Sequence, residues 1–145
     1  MIKKVLKTEG QLLALDIGSR RVGVARAHSR IGLVEPLKII DLQKDSVWLS
    51  FEELFQAYQP ISLIVGLPFN RYGQPTQQTT FIETWVEELK AQLNLQLPII
   101  YQDETLSTHQ AQTLDLKSTH PRYKDDLAAC VILMDYLEYA KSDSE

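Results

Sequence analysis

The sequence predicts a mixed α/β sheet with helices on its faces, and three observations point to it. The chain opens with three runs of β character joined by short connections, two within residues 12–25 and one over 31–40. The pattern then changes period, alternating helix-like segments with two short apolar runs at 61–66 and 98–102. Finally, 145 residues with 44% hydrophobic content suffice for one sizeable core and are too few for two domains.

The first strand is Leu12-Leu13-Ala14-Leu15-Asp16-Ile17, an apolar run with one acid inside it. Gly18-Ser19-Arg20-Arg21 turns the chain into Val22-Gly23-Val24-Ala25, which makes a hairpin. A carboxylate on a central strand is costly to bury unless it is paired or binds a metal. Asp16 is therefore either an acceptor for the turn or the anchor of an active site. Residues 31–40 alternate in the manner of a third strand, Pro36 marking an edge or bend, so that the three form an antiparallel meander.

Ser46 or Ser50 caps the next segment, a helix with Leu49, Leu54, Phe55 and Tyr58 as its apolar positions and Gln59-Pro60 as its end. The run Ile61-Ser62-Leu63-Ile64-Val65-Gly66 suits a strand buried on both faces, and 67–75 is a loop by its Pro, Asn and Gly content. A long amphipathic helix over 76–93 places Phe81, Ile82, Trp85, Val86 and Leu89 on a core-facing side, rather than on a base-stacking platform. Strand 98–102 runs into Asp103-Glu104, Ser107 caps a helix to about Leu116, and 117–123 is a polar, basic loop. An apolar helix over 127–139 follows Asp125 and Asp126. The whole of 1–145 reads as one domain, with 1–10 a loose leader and 141–145 a loose tail.

Right-handed crossovers bring 61–66 and 98–102 parallel to the first strand, and sites in such sheets lie beyond the carboxyl ends of the strands. Asp16, Gly66-Leu67-Pro68 and Asp103-Glu104 then share one edge, within reach of Asp125 and Asp126. Hard divalent cations prefer oxygen ligands, and a two-metal site needs several carboxylates to converge. The plainer alternatives are a helix-capping role for Asp103 and Glu104 and a helix-dipole role for Asp125 and Asp126. Asp126 shares a helical face with Cys130, Leu133 and Leu137, which turns it toward the protein body. By strand alternation only one of Asp103 and Glu104 faces the site.

Composition narrows the function further. A net charge of −4 excludes the global basic footprint of a nucleic-acid-coating protein. Arg20, Arg21, Arg26 and Arg30 follow the first strand, however, and Lys117, Arg122 and Lys124 cluster late, which suits an enzyme gripping a phosphate backbone or a set of solvated loops. No apolar run approaches the ~20 residues of a membrane span, and the basic start lacks a secretory h-region. The single cysteine, Cys130, fits core packing and a cytoplasmic location. His28, His109 and His120 stand in polar contexts as surface residues, leaving no convincing Ser-His or Cys-His pairing for a protein nucleophile.

Four motifs stand in order: Leu15-Asp16-Ile17-Gly18-Ser19-Arg20-Arg21-Val22-Gly23-Val24-Ala25, then Ile64-Val65-Gly66-Leu67-Pro68-Phe69-Asn70 with Gly73, then Asp103-Glu104-Thr105-Leu106-Ser107-Thr108, then Lys124-Asp125-Asp126-Leu127-Ala128-Ala129. Together they resemble the YqgF (RuvX) family of small bacterial nucleases, whose RNase H-like fold is shared with the RuvC Holliday junction resolvase. The resemblance spans residues 12–139. It implies an RNase H-like five-stranded sheet and two Mg²⁺ or Mn²⁺ ions held by Asp16, Glu104 and Asp126, the catalytic acids, with Asp103 as an auxiliary ligand. It also implies substrate contacts from Gly18, Ser19, Arg20, Arg21, Gly66, Pro68, Asn70, Ser107 and Lys124. The substrate it suggests is structured RNA, with trimming of the 5′ end of pre-16S ribosomal RNA by a monomer or weak homodimer. Branched DNA, as in junction resolution, is the alternative. Thr105 departs from the family's usual Arg, and the helix from Thr76 has Gln and Thr where relatives often carry basic residues. A non-catalytic nucleic-acid-binding module and an actin-like ATPase remain rival classes, although the latter builds its cleft from two such domains.

Overall fold

The computed structural model describes residues 9–104 and 124–143, for 124–126 and 142–143 the backbone alone. Five strands form one sheet in the order β3-β2-β1-β4-β5. They are β1 (Gln11–Ile17), β2 (Arg21–His28), β3 (Glu35–Asp41), β4 (Ser62–Leu67) and β5 (Ile99–Asp103). β1 pairs antiparallel with β2 and β2 with β3, whereas β4 runs parallel to β1 and β5 parallel to β4. Three helices accompany them among the described residues: α1 (Val47–Tyr58), α2 (Gln77–Leu93) and α3 (Lys124–Asp143). The expected mixed sheet, antiparallel first and parallel after, is the one found.

The sheet divides the core in two, because alternate residues of each strand point to opposite faces. Leu13, Leu15, Ile17, Val22, Val24, Leu63 and Val65 face α1 and α2, where Phe51, Leu54, Ile82, Trp85, Val86 and Leu89 cover them. Trp85 meets Phe51 edge-on at 5.3 Å and Trp48 at 5.7 Å between ring centroids. The other face is lined by Leu12, Ala14, Ala25, Ala27 and Ile64, and α3 packs on it through Ala129, Cys130, Ile132 and Leu133. Cys130 is a core residue there, 2% exposed.

Local chemistry fixes the boundaries. Ser46 is the N-cap of α1, although its side chain makes no capping bond, while Ser50, the other candidate, is buried inside the helix. Gln59 closes α1 in the left-handed region (φ 44), its N–H bonded to the Phe55 carbonyl. Thr76 caps α2 in a reciprocal capping box with Thr79. At the β3 edge the register shifts between Val24 and Ala25, where Pro36 stands opposite Ala25, so Pro36 does mark an irregular edge.

Several expectations need correction. Leu49 is 55% exposed, because α1 buries the stripe through Ser50, Phe51 and Leu54, and Leu49 lies on its far side. Phe81 is 41% exposed, since α2 buries Thr79, Ile82, Trp85, Val86 and Leu89, and a position next to that stripe turns about 100° away from it. The third strand begins at Glu35 rather than at Ile31, and Ile31 and Leu33 project from the connection. Helix α3 continues to Asp143, into the segment expected as a loose tail. Gly10, at the end of the expected leader, is anchored by hydrogen bonds in both directions with Ser29. The expected helix from Ser107 and the loop 117–123 lie outside the described residues.

Candidate functional site

Asp16 is the one polar position of the central strand's α3-facing row, after Leu12 and Ala14, and it is half-buried near the carboxyl end of β1. Its partner across the β1–β2 ladder is Gly23. On the opposite side Leu15 pairs with Val65, so continuing that register brings Gly66 beside Asp16. A carboxylate in the middle of a sheet thus has a glycine on either flank, and the face above it is open.

Glu104 fills that opening. Its N–H donates to the Leu67 carbonyl at 3.1 Å, continuing the β4–β5 ladder one step past Asp103. A side chain at Gly66 would collide with Glu104 Oε1 and would stand 2.5 Å from Ile132 Cδ1 of α3. The absent side chain of Gly66 is therefore the space in which the Glu104 carboxyl lies, beneath α3. There the carboxyls of Glu104 and Asp16 hydrogen-bond each other. Burial, then the Asp16 charge and that hydrogen bond, then the Asp103 charge raise the Glu104 pKa from 4.5 to about 7. Two carboxyls in contact carry one proton between them near neutrality, or else a cation in its place. Their oxygen-only donor set suits a hard divalent ion, so these two residues fit such an ion.

The other anticipated residues distribute unevenly. Asp103 pairs with Leu67, whose side chain belongs to the α1/α2 core, so alternation turns Asp103 to the opposite face from Glu104. It acts on Glu104 through its charge. Asp126 lies in α3 four residues before Cys130, and Lys124 is the helix's first residue, but both side chains are outside the described residues, as is Ser107 altogether. Among the described residues no group of three His, Cys, Asp or Glu side chains is assembled to hold a metal.

Around the pair, Gly18 donates its N–H to the Arg21 carbonyl at 2.8 Å, closing the hairpin turn in which Ser19 and Arg20 are exposed. Arg20 Nε sits 3.6 Å from Asp41 Oδ2, and the Asp41 carboxyl is held below its ordinary pKa, chiefly by the Gln43 backbone N–H and further by Arg20. Arg26 and Arg30 do not join Arg20 and Arg21. Arg26 pairs with Glu35 and lies 5.4 Å from the Tyr58 ring, on the α1 side, and Arg30 stands beyond the far end of β2. Five residues at about 3.3 Å each separate Arg21 from Arg26 along the strand, so neighbours in sequence are not neighbours at the site.

Asn70 organises its own loop: its Oδ1 accepts from the N–H groups of Tyr72 and Gln74, both at 2.9 Å. Thr79 was not among the anticipated residues. Its buried hydroxyl donates to the Pro68 carbonyl at 2.6 Å and ties the loop after β4 to the start of α2. The Thr-x-x-Thr spacing of the capping box was the available signal, but the bond back to Pro68 has no counterpart in local sequence.

Among the described residues no helix is long and apolar enough to cross a membrane. Comparison with known proteins finds a match over residues 10–139 to the model of the RuvX family, described as a Holliday junction resolvase. A Rickettsia africae protein named "Putative pre-16S rRNA nuclease" is 33% identical, over 96% of this chain and 93% of the relative. A Roseiflexus protein of the same name is 35% identical, over 89% of this chain and 94% of the relative. In fold, the chain is similar to Thermus thermophilus RuvC solved in complex with a Holliday junction substrate. That similarity has a TM-score of 0.63 at 12% identity and covers 93% of this chain and 97% of RuvC.

Proposed function

The chain belongs to the RuvX family, and from that premise we propose that it is a metal-dependent phosphodiester nuclease of the cytoplasm that processes the 5′ end of pre-16S ribosomal RNA. One observation carries the chemistry: the carboxyls of Asp16 and Glu104 meet over Gly66 at the carboxyl edge of the sheet. Asp16 and Glu104 hold the ions, with Asp126 as the third acid from α3. A pair of Mg²⁺ or Mn²⁺ ions supplies, when bound, positive charge at the scissile phosphate. Glu104 gives up its proton as a cation arrives, because carboxylate ligands bind metal in their ionised form. Gly66 keeps the pocket open, Arg20, Arg21 and Lys124 contact backbone phosphates, and the loop of Pro68 and Asn70 borders the substrate. The family description favours a second reading, resolution of branched DNA.

A cleavage assay supplemented with Mn²⁺ tests both, comparing precursor 16S RNA with a four-way DNA junction. Wild type should cut the RNA, lose activity in EDTA, and lose at least ~10²-fold on Asp16→Asn, since even residues that only support a metal ligand cost 10–100-fold. Cleavage of the junction alone establishes the second reading. Equal activity in wild type and Asp16→Asn removes the metal-site assignment.

A further inference from the structure

The loop between β4 and α2 carries a feature that the nuclease chemistry leaves unused. Phe69 and Pro75 form an antiparallel bridge, Asn70 N–H donates to the Gln74 carbonyl at 2.9 Å, and Gly73 N–H donates to the Asn70 carbonyl at 2.9 Å. Gly73 takes φ +75, a conformation that L side chains rarely adopt. With Asn70 Oδ1 gripping the N–H groups of Tyr72 and Gln74, and Thr79 holding Pro68, the loop is a small preformed hairpin. Its tip is Arg71-Tyr72. Tyr72 is 72% exposed, and the Arg71 guanidinium stands 5.1 Å from its ring centroid. A cation on one face of an aromatic ring leaves the other face for stacking.

Position distinguishes Tyr72 from the two large hydrophobics that are more exposed among the described residues. Ile31 (74%) and Leu33 (76%) lie in the β2–β3 connection, at the end of the sheet away from Asp16. Tyr72 projects from the end of β4 at which Leu67 accepts the Glu104 N–H. Tyr72 lies six residues beyond Gly66, over which the carboxyls meet, a reach of at most about 22 Å, and stacked nucleotides are spaced about 3.4 Å apart along a strand. Tyr72 therefore stands within about six nucleotides of the carboxyl pair.

Resting on the nuclease reading, we infer that the Arg71–Tyr72 tip is a specificity-determining post that stacks an unpaired base of the nucleic-acid strand, with Arg71 backing the ring and meeting the adjacent phosphate. Every base offers a π-face, so such a post selects for a single-stranded or frayed segment beside the cleaved bond rather than for a sequence.

Binding without cleavage tests this, in an Asp16→Asn background with Ca²⁺, by fluorescence anisotropy of a labelled RNA of about twelve nucleotides, within the range of single-strand site sizes. The same RNA is used with one abasic nucleotide at each position in turn, and a DNA of equal sequence is run beside it. Tyr72→Ala should weaken binding about tenfold, the scale of one lost base stack, with Tyr72→Phe restoring it. One abasic position should weaken the Tyr72 protein and leave Tyr72→Ala unchanged. If the parent binds but Tyr72→Ala matches it at every position, the post is refuted and the nuclease reading stands. If the parent binds neither RNA nor DNA, the nuclease reading falls and takes the post with it.

Discussion

The two faces of the sheet are filled differently. Against α1 and α2 the strands present Leu13, Leu15, Ile17, Leu63 and Val65, filled in by Phe51 and Trp85. Toward α3 they present Leu12 and Ile64 beside the small Ala14, Ala25 and Ala27, with Gly23 and Gly66 flanking Asp16. Bulk on the first face removes large apolar areas from water, each fully buried large side chain stabilising by roughly 1.5–3 kcal/mol. Smallness on the second lets α3 lie close and leaves the space in which Asp16 and Glu104 meet. Both faces bury apolar core, and the second spends some of the stability gained on holding two acids together.

That contrast is sharpest at Phe51, fully buried under Trp85. Phe51→Ala should cost about 3–5 kcal/mol in urea unfolding, and any residual activity per folded molecule should be unchanged. Gly66→Ala inverts the pattern. The added carbon meets Glu104 Oε1 and Ile132 Cδ1, both ends of flexible side chains, so they move instead of the backbone. Stability should fall by about 1 kcal/mol while the displaced Glu104 loses ~10²-fold in cleavage, the scale of a disturbed metal ligand. A variant that keeps full activity would break the link between that glycine and the acid.

The pair's own cost is visible in pH dependence. With the Glu104 pKa raised to about 7 in the folded protein against an ordinary 4.5, the native state holds a proton that the unfolded chain has released. In EDTA, stability should therefore be greatest below about pH 4.5 on account of this group, and fall as pH rises from there through 7. Allowing for solvent screening at a half-buried group, the loss is about 1–3 kcal/mol. Glu104→Gln should abolish that slope in thermal melts, and Mn²⁺ at pH 8 should raise the Tm of wild type but not of the variant. A slope of opposite sign would show that the two acids do not repel. In cleavage the smallest effect is expected at Thr79. Thr79→Val removes both the bond to Pro68 and the one its hydroxyl accepts from the Thr76 N–H. It should cost about 2 kcal/mol, the net worth of two hydrogen bonds, with KM rising more than kcat falls.

Much of this was legible because it is periodic. The apolar run around Asp16, the glycine turn, the continuous run at 61–66 and the stripe Ile82, Trp85, Val86, Leu89 each name their element by spacing alone. Leu49 and Phe81 misled because apolar residues beside a helical stripe look like members of it until a partner selects one side. Arg26 misled because closeness along a chain counts for little once the chain is extended.

The sequence by itself determined the order of elements, the acids at strand ends and the glycines between them, since these follow from local pattern and chain order. Only the tertiary structure decided that Glu104 rather than Asp103 meets Asp16 and that Gly66 is the room it occupies. It also decided that Asn70 closes its own loop and that Tyr72 stands exposed at the tip of that loop. The reason is physical: a side chain's surroundings come from strands and helices distant in sequence, and its charge, burial and reach are set only when those distant parts touch.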